Sequence, residues 1–147
     1  MEGLLYNRVA QATFLPWAAA QVLKVLINLI WKRTLNMKLL TSAGGMPSSH
    51  AAMVWGLATA IAVNNGTSSE LFVIALVVLL VVTYDAAGIR RAASIQARIL
   101  NQIIDELFQG HPLSETRLRE LLGHTPIEVA AGAVLGIVWA YVWMTRT

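Results

Sequence analysis

Two histidines carry the strongest chemical signal in this 147-residue chain. His50 closes the stretch "GGMPSSH" at 44–50, and His124 opens "HTPIE" at 124–128. Spread along the chain around them are Lys24, Ser48, Ser49, Asp85, Arg90, Arg91 and Glu128. Cations and the amide groups at a helix start together bind phosphate. Gly44 and Gly45 free the backbone ahead of two hydroxyls and a helix start. Two histidines can divide the rest of a phosphoryl transfer, one attacking phosphorus and the other protonating the leaving oxygen. Glu128 follows His124 by four residues, so the two share a helical face, where a carboxylate orients an imidazole and holds its tautomer. The scheme requires no metal and no cofactor.

These residues are far apart in sequence, so packed elements must bring them together. The chain is 56% hydrophobic and 13% charged, against about 25% charged residues in soluble domains. That balance points to one membrane-embedded domain over 1–147. Four segments approach the ~20 residues that cross a hydrocarbon core. They are about 14–31, 47–64, 70–87 and 126–144. The third holds twelve consecutive apolar residues from Leu71 to Val82. The second is rich in alanine and glycine, which let helices approach closely, so it belongs inside the bundle. Trp17, Trp31, Trp139, Tyr141 and Trp143 lie near segment ends, as an interfacial aromatic belt does.

Residues 92–109 differ. Ile95, Ile99, Ile103 and Leu107 recur every four residues, with polar residues on the remaining surface. This predicts an amphipathic helix lying on the membrane or on the bundle, stopped by Gly110 and Pro112. The expected fold is therefore all-α: a polytopic membrane helical bundle of about four transmembrane helices plus an amphipathic helix. There is no cysteine, so disulfide and thiolate chemistry are excluded. The net charge of +3 is read as loop bias, not as nucleic-acid binding. The stretch "MEGLLYNRV" lacks a basic leader, so no removed signal peptide is expected.

Lys32, Arg33 and Lys38 lie in one connection, and Arg90, Arg91, Arg98, Arg117 and Arg119 in another, while "NNGTSS" at 64–69 has no cation. Positive-inside counting puts the basic connections in the cytoplasm and both termini outside. With alternating spans, His50, Asp85, Arg90, Arg91, His124 and Glu128 fall on that one side. Lys24 precedes Lys32 by eight residues, roughly 12 Å deeper along a helix. A lysine at that depth needs a polar cavity or a partner.

Plainer roles compete for several of these residues. Thr125, Pro126 and Glu128 form a helix start with a capping box, and Ser48 is a helix cap. Asp85 suits an ion pair with Arg90 or Lys24. Arg90 and Arg91 suit anchoring after a span, and His111 is a surface residue. A metal site of His50, Asp85, His124 and Glu128 lacks any recognised ligand spacing.

"PSSH" at 47–50 resembles the "PSGH" motif of the type 2 phosphatidic acid phosphatase family, which is related to vanadium haloperoxidases. "HTPIE" resembles the end of that family's third motif, a histidine followed four residues later by aspartate. Together, "GGMPSSH", "YDAAGIRRAA" and "GHTPIEVAAG" look like the family's small divergent branch of membrane proteins, over about residues 7–140. The resemblance implies a phosphohistidine mechanism, with His124 as nucleophile, His50 as general acid and Glu128 in the place of the orienting aspartate. It implies that Ser48 and Ser49 hold phosphate oxygens. The family's lysine and "RP" motif and its "SR" are absent. Lys24 is the candidate replacement for the first, and Arg90 and Arg91 for the second, with Arg117 and Arg119 as rivals.

The expected activity is hydrolysis of a lipid phosphate or pyrophosphate in the membrane. Polyprenyl pyrophosphate, phosphatidylglycerophosphate and phosphatidic acid are the candidate substrates. The expected location is a bacterial inner membrane, with the site on the cytoplasmic side. Membrane lipids are the expected surroundings, and a thin four-span bundle is compatible with a homodimer. The alternative is a non-catalytic protein that binds a lipid phosphate or scaffolds a partner.

Overall fold

The computed structural model describes residues 2–41, 44–87, 89–107 and 124–146, without the side chains of 2, 87, 89–94 and 105–107. Among the described residues six α-helices follow one another: α1 (Glu2–Leu5), α2 (Arg8–Lys32), α3 (Ser49–Asn65), α4 (Glu70–Ala87), α5 (Ile89–Leu107) and α6 (Pro126–Arg146). A short 3-10 helix, Met37–Thr41, lies between α2 and α3. No strand occurs among the described residues.

Local chemistry sets the helix ends. The Asn7 side chain accepts from the Ala10 amide at 3.1 Å and starts α2. Arg33 ends α2 in the left-handed region, at φ 52°. Asn28 donates from Nδ2 to the Thr34 carbonyl at 2.7 Å and ties down the chain that leaves it. Ser48 caps α3, and Gly66, at φ 81°, closes it by donating to the Ala62 carbonyl at 3.0 Å. Ser69 caps α4 through the Phe72 amide at 3.2 Å.

The alanine-rich segment is the centre of the bundle, as expected: α3 packs against α2, α4 and α6. It buries Ala51, Ala52, Val54, Gly56, Ala58 and Ala60. Lipid tails are as apolar as leucine, so helix association in a bilayer relies on close van der Waals fit. That fit is tightest against α6. A methyl group added at Gly132 would collide with the Ser48 carbonyl, and one at Gly136 with the Ala52 carbonyl. Gly56 of α3 faces both α2 and Gly136 of α6, and a methyl group there would come within 2.8 Å of the Ala12 carbonyl of α2.

α4 contributes Ala75 and Leu79 to a cluster with Val54 and Ala58, and it exposes Val73, Ile74, Val77, Leu80 and Val81. Such a continuous apolar surface suits lipid better than water. α5 begins three residues earlier than the sequence pattern suggested and packs only against α4 among the described elements. Its isoleucines at 95, 99 and 103 are exposed, while Ala97 and Asn101 are buried.

α2 and α6 are long and apolar enough to cross a membrane. Of the four expected segments, these two meet that test of length and composition among the described residues. α3 has 17 residues, roughly 25 Å of helix against a hydrocarbon core of about 30 Å. α2 starts at Arg8, six residues before the expected boundary. Across the bundle from the two histidines, the Arg8 guanidinium donates to the carbonyls of Trp143 (3.2 Å) and Met144 (2.8 Å) at the end of α6.

Candidate functional site

Both histidine motifs stand at helix starts, and the two starts are joined. The Ser48 amide donates to the Glu128 carbonyl at 2.9 Å. Gly132, one turn further along α6, lets the Ser48 carbonyl come against the α6 backbone. Ser48 is fully buried, and its hydroxyl accepts from the Ala51 amide at 3.3 Å as the cap of α3.

α6 starts with a reciprocal cap. The Glu128 amide donates to Thr125 Oγ1 at 3.3 Å, and Glu128 Oε2 accepts from the Thr125 amide at 3.0 Å. The same carboxylate oxygen lies 3.1 Å from His124 Nδ1. Capping and orienting are therefore not alternatives for Glu128, because one oxygen performs both. In the tautomer that carries its hydrogen on Nδ1, His124 donates a hydrogen bond to Glu128 Oε2 and keeps Nε2 as the basic nitrogen. His124 is 3% exposed. The His50 ring lies edge-on to it, with centroids 6.2 Å apart and planes at 64°.

Lys24 comes in from α2. Its Nζ donates to Ser49 Oγ at 3.1 Å, and both residues are buried. The lysine predicted to need a polar partner within a span thus has one in the "PSSH" motif. Gly45 adopts φ 96°, a left-handed conformation suited to glycine, and passes beside the Lys24 stem. A cavity of about 210 Å³ opens here, walled by Lys24, Asn28, Trp31, Lys32, Gly45 and Glu128 among others.

Asp85 lies at the same end of the bundle: its neighbour Ala86 clusters with Ala51 and Val129. Arg90 and Arg91 fall in the first turn of α5, and their side chains lie outside the described residues. His111, Arg117 and Arg119 lie outside them altogether. No group of three or more histidine, aspartate or glutamate residues is placed to hold a metal among the described residues.

Sequence reasoning missed Asn28 and Trp31 as cavity walls, and Gly132 and Gly136 as the reason the two motifs touch. For the glycines a signal existed in "GAVLG" at 132–136, two glycines four apart in an apolar helix.

An all-helical apolar bundle that joins a "PSSH" helix start to a histidine–carboxylate pair defines a membrane protein related to the type 2 phosphatidic acid phosphatases. The chain belongs to the Divergent PAP2 family, whose model matches residues 5–139. It is 39% identical over 140 residues to a Bacillus subtilis (strain 168) protein described as "Uncharacterized membrane protein YuiD", covering 85% of this chain and 89% of that one. No solved structure matches it.

Proposed function

We propose that the protein is an integral membrane phosphatase acting on a lipid phosphate or pyrophosphate through a phosphohistidine. The observation that carries this reading is the shared Glu128 oxygen, which fixes the His124 ring beside His50 at a junction of two helix starts. His124 Nε2 attacks phosphorus, and the bond from phosphorus to the leaving oxygen breaks. A protonated His50 gives its proton to that oxygen. Water then attacks the phosphohistidine, His50 takes a proton from it, and phosphate leaves as His124 is restored. Glu128 stabilises the charge that develops on the His124 ring. Lys24 offsets charge on the phosphoryl oxygens from the adjoining cavity, with Arg90 and Arg91 as the arginine contribution.

Ser49 contributes by presenting Lys24, and Ser48 by holding the helix start. In this reading α3 and α4 cross the bilayer together with α2 and α6, and the site opens on the cytoplasmic side, where the basic connections lie. Phosphatidic acid, phosphatidylglycerophosphate and polyprenyl pyrophosphate share the recognised group, a terminal phosphate on an apolar chain.

The test is phosphate release from these three lipids by purified protein in detergent with chelator present, beside His124→Ala. Release that survives chelation and disappears in the variant is the expected result. A folded protein that releases no phosphate from any of them overturns catalysis and leaves a lipid-phosphate-binding protein. Release that chelation abolishes overturns the metal-independent scheme.

A further inference from the structure

The polar cavity does not end at its own walls. Ile27 and Met46 line it and also line a second, apolar cavity of about 360 Å³ between α2 and α6. Leu23, Val134, Leu135 and Val138 are among the other walls of that cavity. Leu135 and Val138 in turn line a third, about 300 Å³, which continues past Trp139 to Trp143. The three hollows lie in a row, the second sharing walls with the first and with the third, and this track is polar at the Lys24–Glu128 end and apolar beyond it. α6 starts at the candidate site, so the track runs from the site into the apolar length of the helix. From Ala131 to Trp143 is twelve residue steps, about 18 Å of helix, close to one leaflet's half of a hydrocarbon core about 30 Å thick.

We propose that this track is a chain subsite. It takes one hydrocarbon chain of a lipid phosphate whose headgroup occupies the Lys24–Glu128 cavity, and it admits that chain sideways from the bilayer between α2 and α6. The inference rests on the lipid-phosphate reading of the site and deepens it. The occupant follows from continuity: the groove begins at two residues of the polar cavity, and its far walls are apolar. Bulk lipid alone would have no reason to favour this groove over the exposed face of α4, which is as apolar. A headgroup held at Lys24 supplies that reason.

The experiment is photo-crosslinking of the full-length protein in phosphatidylcholine vesicles. The probe is phosphatidic acid with a diazirine on one acyl chain, placed near the headgroup, in mid-chain or at the tip, and adducts are mapped by peptide mass spectrometry. The expected result is an ordered walk. The near position labels around Ile27 and Met46, the middle labels Val134 to Val138, and the tip labels Trp139 to Trp143. Labelling of the track should exceed that of Val77 to Val81 on α4, and Lys24→Ala should lose the excess. Equal labelling of the track and of α4 overturns the proposal. Track labelling that is the same when the diazirine chain is carried on phosphatidylcholine overturns it as well. Labelling needs no turnover, so an inactive protein with the ordered walk keeps the track and loses the enzyme, whereas an active protein with uniform labelling does the reverse.

Discussion

The backbone amide of Ser48 donates to the backbone carbonyl of Glu128 across 2.9 Å, although the two lie eighty positions apart. This bond joins the start of α3 to the first turn of α6. The positions of His50 and His124 are thus set relative to one another by main chain, which a side-chain substitution nearby does not easily move.

The closeness of those two helices is itself open to test. Gly136→Ala puts a methyl group into the Ala52 carbonyl. Overpacking of this kind costs about 1–3 kcal/mol. The variant should unfold at lower temperature in detergent. A methyl group at Gly132 meets the Ser48 carbonyl instead, so Gly132→Ala should also lower phosphate release more steeply than its stability loss explains. Unchanged melting in both variants would mean that the backbones are farther apart.

Glu128 serves both a cap and a histidine, and two substitutions separate the tasks. Glu128→Gln keeps an oxygen for the Thr125 amide but removes the charge that favours the His124 imidazolium. Its melting temperature should stay near that of the parent, while turnover falls about a hundredfold or more, the scale of a lost acid–base contribution. Glu128→Ala also loses the cap, at about 1 kcal/mol. Full activity in the glutamine variant would leave Glu128 with the cap alone.

Lys24 and Ser49 form a buried pair. Lys24→Met should raise KM for a lipid phosphate and weaken competition by inorganic phosphate or vanadate, because the cation near the phosphoryl oxygens is gone. Ser49→Ala removes one hydrogen bond, at a cost of about 1 kcal/mol. It should raise KM less than Lys24→Met does. An unchanged KM in both would remove Lys24 from substrate binding.

Arg8 clasps the last carbonyls of α6 far from the histidines. A cation at a helix C-terminus, hydrogen-bonded to its carbonyls, contributes about 1–2 kcal/mol. Arg8→Ala should lower the melting temperature and leave KM and kcat where they were. A change in KM would couple the two ends of the bundle.

Because the chain contains no cysteine, single cysteines report topology without background. Ser68→Cys, in the loop between α3 and α4, should react with an impermeant maleimide on intact cells. Thr34→Cys, beyond the end of α2, should react only after lysis. The opposite pattern would place the site on the outer face.

The parts of this fold that could be read in sequence are those whose signals are local. "TPIE" spells a capping box within four residues, and the structure holds it with both hydrogen bonds. Lys24 stood out because a charge in an apolar run demands a partner, and the small residues of α3 marked it as the central helix. The neighbours of Lys24 were harder to see. In a soluble helix, polarity marks the outer face; in an apolar helix, nothing in hydropathy tells the face against protein from the face against lipid. Asn28 and Trp31 therefore gave no sign that they wall a cavity, and Arg8 gave none that its partners lie at the other end of the chain. Ser48 and Ser49 look alike in the motif, yet one caps a helix and the other meets a lysine, a difference made by their directions from the helix start.

α2 continues from Lys24 to Lys32, two turns beyond the level at which it meets Ser49, and Asn28, Trp31 and Lys32 wall the cavity on that overhang. The junction of helix starts thus lies at the bottom of a well roughly 12 Å deep on that side. Under the proposed phosphatase activity, such a well would separate the two products. The dephosphorylated lipid would leave in the plane of the bilayer, while inorganic phosphate would rise past Lys24 and Lys32 into water. Exits at right angles would keep the products from meeting again without a moving gate.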